Sequence, residues 1–200
     1  MTTASVQPDT PSSKAPATPA STPQRLSTPL EGTGHRPWDP QAPIAAPLQL
    51  MQTQVQAAWV DYNGHMSESC YLLVFGDNSD AFFRFIGIDE AYRDQGGHSL
   101  YTVQTQIHNL REAALNEPLR LTLQLLDLDD KRLHIFHAMY HATSGDLLAT
   151  GEQMLVHVNM QAGRAAPMPA DLLQRLQAIQ QAHAALPRPK QAGQAIGIRR

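Results

Sequence analysis

Four β-leaning segments follow one another over residues 99–159, and that run constrains the fold more than any other feature. Ser99–Leu110, Leu119–Leu128, Arg132–His141 and Leu147–Asn159 are separated by Asn116-Glu117-Pro118, Asp129-Asp130 and Ser144-Gly145-Asp146, all of them turn chemistry. The last two connections are short, which makes antiparallel hairpins the natural pairing. A further strand is expected over Leu48–Val60, ended by a turn at Asp61-Tyr62-Asn63-Gly64. Between it and the other four, residues 67–86 read as one long helix. Tyr71, Leu72, Phe75, Phe82 and Ile86 sit at helical spacing on one face, and Ser79 is small enough for close packing. Ser67 or Ser69 can cap its start, Glu68 suits its first turn, and Gly87 stops it. A second amphipathic helix is expected over Asp171–Ala185, with Leu172, Leu173, Leu176, Ile179 and His183 along one side. An antiparallel sheet must cover its apolar face, and one long helix can do so. The fold class is therefore α+β: a five-stranded antiparallel sheet wrapped around a central helix.

Ten of the 15 prolines precede Leu48, mixed with Ser, Thr, Ala and Gln. Such a segment buries too little apolar surface to offset its ordering entropy, so residues 1–47 are expected to be a disordered tail, with Trp38 able to dock locally. The domain proper is expected over 48–160, followed by a C-terminal helix and extension over 161–200. Apolar residues make up 42% and the formal charge is -3, which gives no general attraction to nucleic acid or anionic membrane. No apolar run reaches transmembrane length and the N-terminus lacks a signal-peptide core, so a cytoplasmic protein is expected. The single cysteine, Cys70, excludes an internal disulfide and reads as a buried thiol in an apolar run.

The chemistry concentrates in Trp59-Val60-Asp61-Tyr62-Asn63-Gly64-His65-Met66. A carboxylate at a strand end, then a glycine-permitted turn and a helix start, is a usable catalytic arrangement. The turn leaves backbone N–H groups free, and the helix N-terminus favours developing negative charge. Asp61 can activate water or attack a carbonyl directly, and the residues alone equally allow it to be a turn cap. His65 can orient Asp61 or polarise a carbonyl, and Asn63 can hold water or the carbonyl. Glu68 reads as a helix-start residue before a second acid–base group. Gly-x-Gly-x-x-Gly, P-loop and Gly-x-Ser-x-Gly patterns are absent, which argues against nucleotide-binding and serine-hydrolase readings.

The pattern Asp61-x-x-Gly64-His65-Met66, an aromatic-rich helix, and then Ile107-His108-Asn109-Leu110-Arg111-Glu112-Ala113 resembles the 4-hydroxybenzoyl-CoA thioesterase branch of the hotdog proteins. Val60 to Ser69, Phe75-Gly76-Asp77, Gly97 to Val103, Lys131 to His134 and the C-terminal Leu186-Pro187-Arg188-Pro189 resemble, more narrowly, the betainyl-CoA thioesterases of carnitine degradation. The resemblance implies a hotdog fold and a catalytic aspartate at Asp61. It also implies an active site between protomers of a homodimer or homotetramer, and an acyl-CoA substrate, betainyl-CoA before an aromatic or medium-chain ester. Neither a cofactor nor a metal is expected. A non-catalytic acyl-binding module is the rival class, since fold does not dictate function.

A betainyl group carries a quaternary nitrogen with no hydrogen to donate, so aromatic faces are its natural partners. Trp59, Tyr62, Phe75 and Tyr101 are the candidates, with Gly64 shaping the substrate side of the turn. Arg132 is the candidate for the CoA phosphates, ahead of Arg111 and Lys131. His134, His137 and His141 invite a metal reading, but strand periodicity puts His134 on the opposite face from the other two.

Overall fold

The computed structural model describes residues 28–31 and 38–198. Six strands and three helices follow one another: β1 (Leu48–Gln54), α1 (Glu68–Ile86), α2 (Glu90–Gly96), β2 (His98–Asn109), β3 (Pro118–Leu128), β4 (Arg132–His141), β5 (Leu147–Asn159), β6 (Arg164–Ala165) and α3 (Ala170–His183). The strands form one antiparallel sheet in the order β1-β3-β4-β5-β2, with β6 paired to β5. This is the hotdog arrangement, with α1 as the central helix. The sheet has six strands where five were expected, because the chain folds back after Asn159 to pair Arg164 and Ala165 with the end of β5.

Two elements differ from the sequence reading. The first strand stops at Gln54, not Val60, and residues Ala57–Trp59 form a 3-10 turn instead. Val55 N–H is drawn to Glu117 O and Trp59 N–H to Gln56 O, so pairing with the β2–β3 loop ends the ladder early. Residues 90–96 form the unexpected α2, capped by Asp89, whose carboxylate accepts Tyr92 N–H at 2.9 Å.

Helix α1 forms as its pattern predicts and ends in a Schellman motif. Gly87, at φ +91°, donates to Arg84 O, and Ile88 N–H reaches Phe83 O. Its buried face carries Tyr71, Phe75, Asn78, Ser79, Phe82 and Ile86. Leu72 is 47% exposed, because it lies one residue, about 100°, away from that face. The helix meets the sheet closely where β5 has no side chain. A Cβ on Gly151 would lie 2.9 Å from the Phe75 ring.

The core has two apolar clusters along α1. One joins Phe82 and Ile86 to Leu123, Ile135, Leu155 and the inner face of α3; the other joins Tyr71, Val74 and Phe75 to Trp59, Met66, Ala113, Leu121 and Met139. Between Phe75 and Phe82 on the helix, and between Ile135 and Met139 on β4, sits a buried polar layer. There Asn78 Nδ2 donates to His137 Nδ1 at 2.9 Å, leaving Nε2 to donate to Gln153 Oε1 at 3.2 Å, while Ser79 Oγ donates to the same oxygen at 2.8 Å. Burial pushes the His137 imidazole down to about 4.

Most of the expected disordered tail lies outside the described residues. Within it, Trp38 and Ile44 pack on the first cluster, the Trp38 ring meeting Phe85 edge-on at 5.4 Å. His183 ties this segment to the domain, accepting Leu125 N–H at 3.0 Å and donating to Ala45 O at 3.1 Å.

After α3 the chain crosses the sheet face opposite α1. Leu186, Pro187 and Pro189 stand over Phe136, Ala138 and Tyr140 around a cavity of about 290 Å³. Further along, Glu152 accepts Gly193 N–H at 2.8 Å and His134 at 2.6 Å, and Gln106 donates to Gln194 O. A partly buried carboxylate with these partners acts as a fastening for the strap. Deleting residues 186–200 should lower the thermal midpoint by about 5 °C or more and promote self-association through the uncovered apolar face. Scanning fluorimetry and light scattering read both, and an unchanged midpoint and mass would show that the strap contributes nothing.

Candidate active site

The Asp61 turn is built by short-range backbone bonding. Asp61 N–H donates to His65 O and Gly64 N–H to Asp61 O, both at 3.0 Å, so residues 61–65 close on themselves. Gly64 has φ +82°, in the region where a side chain is strained, so its glycine is a requirement of the turn. Asp61 Oδ1 accepts Asn63 N–H at 2.8 Å. Oδ2 has no partner among the described residues. One carboxylate oxygen is thus pinned and the other left available.

Neighbouring segments hold the turn in place. Ser67 N–H donates to Trp59 O and Met66 N–H to Ala113 O, each at 2.8 Å. His65 bridges to Ala114, and Val60 to Met66. Immediately after the turn α1 begins, and the Ser67 side chain caps none of its first-turn N–H groups. The turn that carries Asp61 therefore leads into a helix N-terminus without a side-chain cap, an arrangement that suits a reaction developing negative charge on oxygen.

Not every candidate residue gathers here. Trp59 is buried in the second apolar cluster beneath the turn, while Tyr62 at its tip is 95% exposed. Phe75 is corrected from the sequence reading: its ring is fully buried against Gly151 and His137, with no face left for a ligand. Tyr101 and Arg132 lie together elsewhere, since both pair across β5 with Val156. Tyr101 is eight residues from Asn109, the end of β2 nearest the turn, or roughly 25 Å along the strand. Arg132 is exposed and engaged by Asp129, its Nε donating to Oδ2 at 2.7 Å.

The three histidines of β4 serve separate ends. His134 meets Glu152, His137 belongs to the buried polar layer, and His141 Nδ1 accepts Ser144 N–H in the β4–β5 turn. Among the described residues, no three His, Cys, Asp or Glu side chains are placed to hold a metal ion.

One residue the sequence reading left without a role stands at the site. Glu112, in the β2–β3 loop, brings Oε2 within 3.4 Å of His65 Nδ1. Its position between Arg111 and Ala113 in the motif was the available signal. The contact itself spans 47 positions of chain and depends on tertiary pairing.

Comparison with known proteins gives the family. The model of the thioesterase-like superfamily matches residues 55–176. The chain belongs to the thioesterase-like superfamily. Within that family it is 44% identical over 151 residues to the betainyl-CoA thioesterase of Pseudomonas aeruginosa, covering 76% of this chain and 95% of that protein. It is 50% identical over 156 residues to the L-carnitine dehydrogenase/betainyl-CoA thioesterase of Rhizobium meliloti, covering 78% of this chain but 31% of that longer protein. Among solved structures, a candidate thioesterase of Pseudomonas putida superposes with a TM-score of 0.69 at 36% identity, covering 77% of this chain and 98% of the other. A Staphylococcus aureus protein solved in complex with CoA shares the fold, with a TM-score of 0.73 at 24% identity, covering 79% and 100%. Among the described residues, no helix of this superfamily member is long and apolar enough to cross a membrane.

Proposed function

We propose that this protein hydrolyses the thioester of a small acyl-CoA, and that the acyl group is betainyl, released as glycine betaine with free CoA. The observation that carries hydrolysis is Asp61, with Oδ1 pinned by Asn63 N–H and Oδ2 without a partner among the described residues, on the turn that leads into α1. As general base, Oδ2 takes a proton from water while the water oxygen bonds to the thioester carbon. The carbonyl oxygen gains negative charge, which first-turn N–H groups of α1 would stabilise. The intermediate then expels the CoA thiolate, which takes up the proton from Asp61, and the C–S bond is broken. The substrate assignment is supported by the relatives that are betainyl-CoA thioesterases, foremost the Pseudomonas aeruginosa protein, 95% of whose length this chain matches.

The working unit in this reading is a dimer, or a tetramer built from it. Strand β2 is an edge of the sheet, twelve residues long, with Tyr101 and Val103 exposed. Such an edge favours antiparallel addition of a second copy. Pairing centred near Thr105 would bring Tyr101 of a second copy level with Asn109. Tyr101, and with it Arg132, would then serve the Asp61 turn of the opposite protomer. Trp59 and Tyr62 complete the aromatic surroundings from the near side.

A cation held over aromatic faces gains about 0.5–2 kcal/mol, or roughly 2- to 30-fold in rate if the gain is realised in the transition state. Betainyl-CoA should be hydrolysed faster by that factor than 3,3-dimethylbutyryl-CoA, which keeps the branched shape and lacks the charge. Tyr62→Leu should narrow the difference. Release of free thiol measures both esters. Equal rates would remove the betainyl assignment, and hydrolysis of neither ester would remove the thioesterase reading as well.

A further inference from the structure

We propose that Glu112 is a positioning residue for His65, fixing which imidazole nitrogen addresses the substrate; the inference rests on the hydrolytic reading above. The backbone on both sides of Glu112 is held. Tyr71 OH donates to Arg111 O at 3.3 Å, Met66 N–H donates to Ala113 O at 2.8 Å, and Ala113 is fully buried. The His65–Ala114 bridge then sets the two chains side by side, so the Glu112 and His65 side chains emerge as neighbours. Glu112 Oε2 lies 3.4 Å from His65 Nδ1.

Two other charges nearby are committed elsewhere. Glu117 accepts Ala114 N–H at 3.0 Å, and Arg111 pairs with Asp146 at 3.1 Å instead of with its neighbour Glu112. Glu112 is thus the one carboxylate with a described contact to His65. A carboxylate at Nδ1 fixes the proton on that nitrogen and turns Nε2 outward. With Nδ1 carrying the proton, Nε2 is an acceptor that can hold the attacking water. The His65 ring is 41% exposed and the Glu112 side chain 77%, so the pair stands at the surface where substrate can reach it.

Kinetics of Glu112→Gln, His65→Ala and the double variant test the assignment. Glu112→Gln should lower kcat about twofold to fivefold, the scale of an exposed charge pair, with KM unchanged and the thermal midpoint unchanged. In the His65→Ala background the same substitution should have no further effect on kcat. A merely structural Glu112 would lower the thermal midpoint, or act equally in both backgrounds. Wild-type kcat in Glu112→Gln, or an undiminished effect without His65, overturns the proposal. Either result leaves the hydrolytic reading standing, since that reading fails only if the wild-type protein hydrolyses no acyl-CoA.

Discussion

Asp61→Asn should reduce turnover by about two orders of magnitude or more while leaving the fold intact, the scale expected when a general base is lost. The substitution is nearly isosteric, and the Asn side-chain oxygen can still accept Asn63 N–H as Oδ1 does at 2.8 Å. What disappears is the basicity of the unengaged oxygen. The turn's other supports are backbone bonds from Gly64, His65 and Met66, none of which uses the Asp61 side chain. The thermal midpoint should therefore stay within a degree or two, and far-ultraviolet dichroism should be unchanged. Steady-state thiol release from betainyl-CoA provides the rate. A variant with near wild-type activity would reduce Asp61 to a turn residue and place the general base elsewhere.

How much of this site could be read from the chain depends on the range of the interactions involved. The Asp61 turn was legible because its determinants are local: the Asp–Asn Asx contact spans two residues, and the positive φ of Gly64 is a single-residue property. Strands β2 to β5 fell within a residue or so of expectation for the same reason, since each is bounded by its own turn chemistry. The end of β1 was misjudged because a partner 62 positions away, Glu117, takes up Val55 N–H. Helix α2 was missed because seven residues carry no apolar period, although the Asp89-Glu90 start and Gly97 stop were present in the sequence. Helical spacing marked Phe75 as inward, and it could not say whether inward meant core or cavity; Gly151 on β5 decides for core. Tyr101 and Arg132 required the register of three strands before their shared position, far from Asp61, became visible.

Acidification should expose the second large effect, at the buried polar layer. Burial holds His137 down at about 4 in the folded chain, against about 6.5 in the unfolded chain. The folded protein therefore binds fewer protons between those values. The stability associated with neutral His137 is complete above pH 6.5 and is lost as pH falls from 6.5 toward 4, by about 3 kcal/mol in all. The hydrogen bonds explain the direction. Nδ1 already accepts from Asn78 Nδ2, so a proton placed there would face an NH2 group. His157 and His183 are lowered by burial as well and act with the same sign. Asp77 opposes them. It is 7% exposed, and burial with the nearby Asp80 charge raises it to about 6, so its cost at neutral pH is relieved on acidification. Comparing variants separates these contributions. Urea unfolding of wild type and His137→Gln at pH 7 and pH 4 should show a smaller acid-induced loss in the variant, by about 3 kcal/mol, whatever its absolute stability. Removing the opposing group by Asp77→Asn should make the wild-type loss steeper. An identical pH dependence in wild type and His137→Gln would mean that the layer does not titrate, and that the acid sensitivity of this fold resides in other groups.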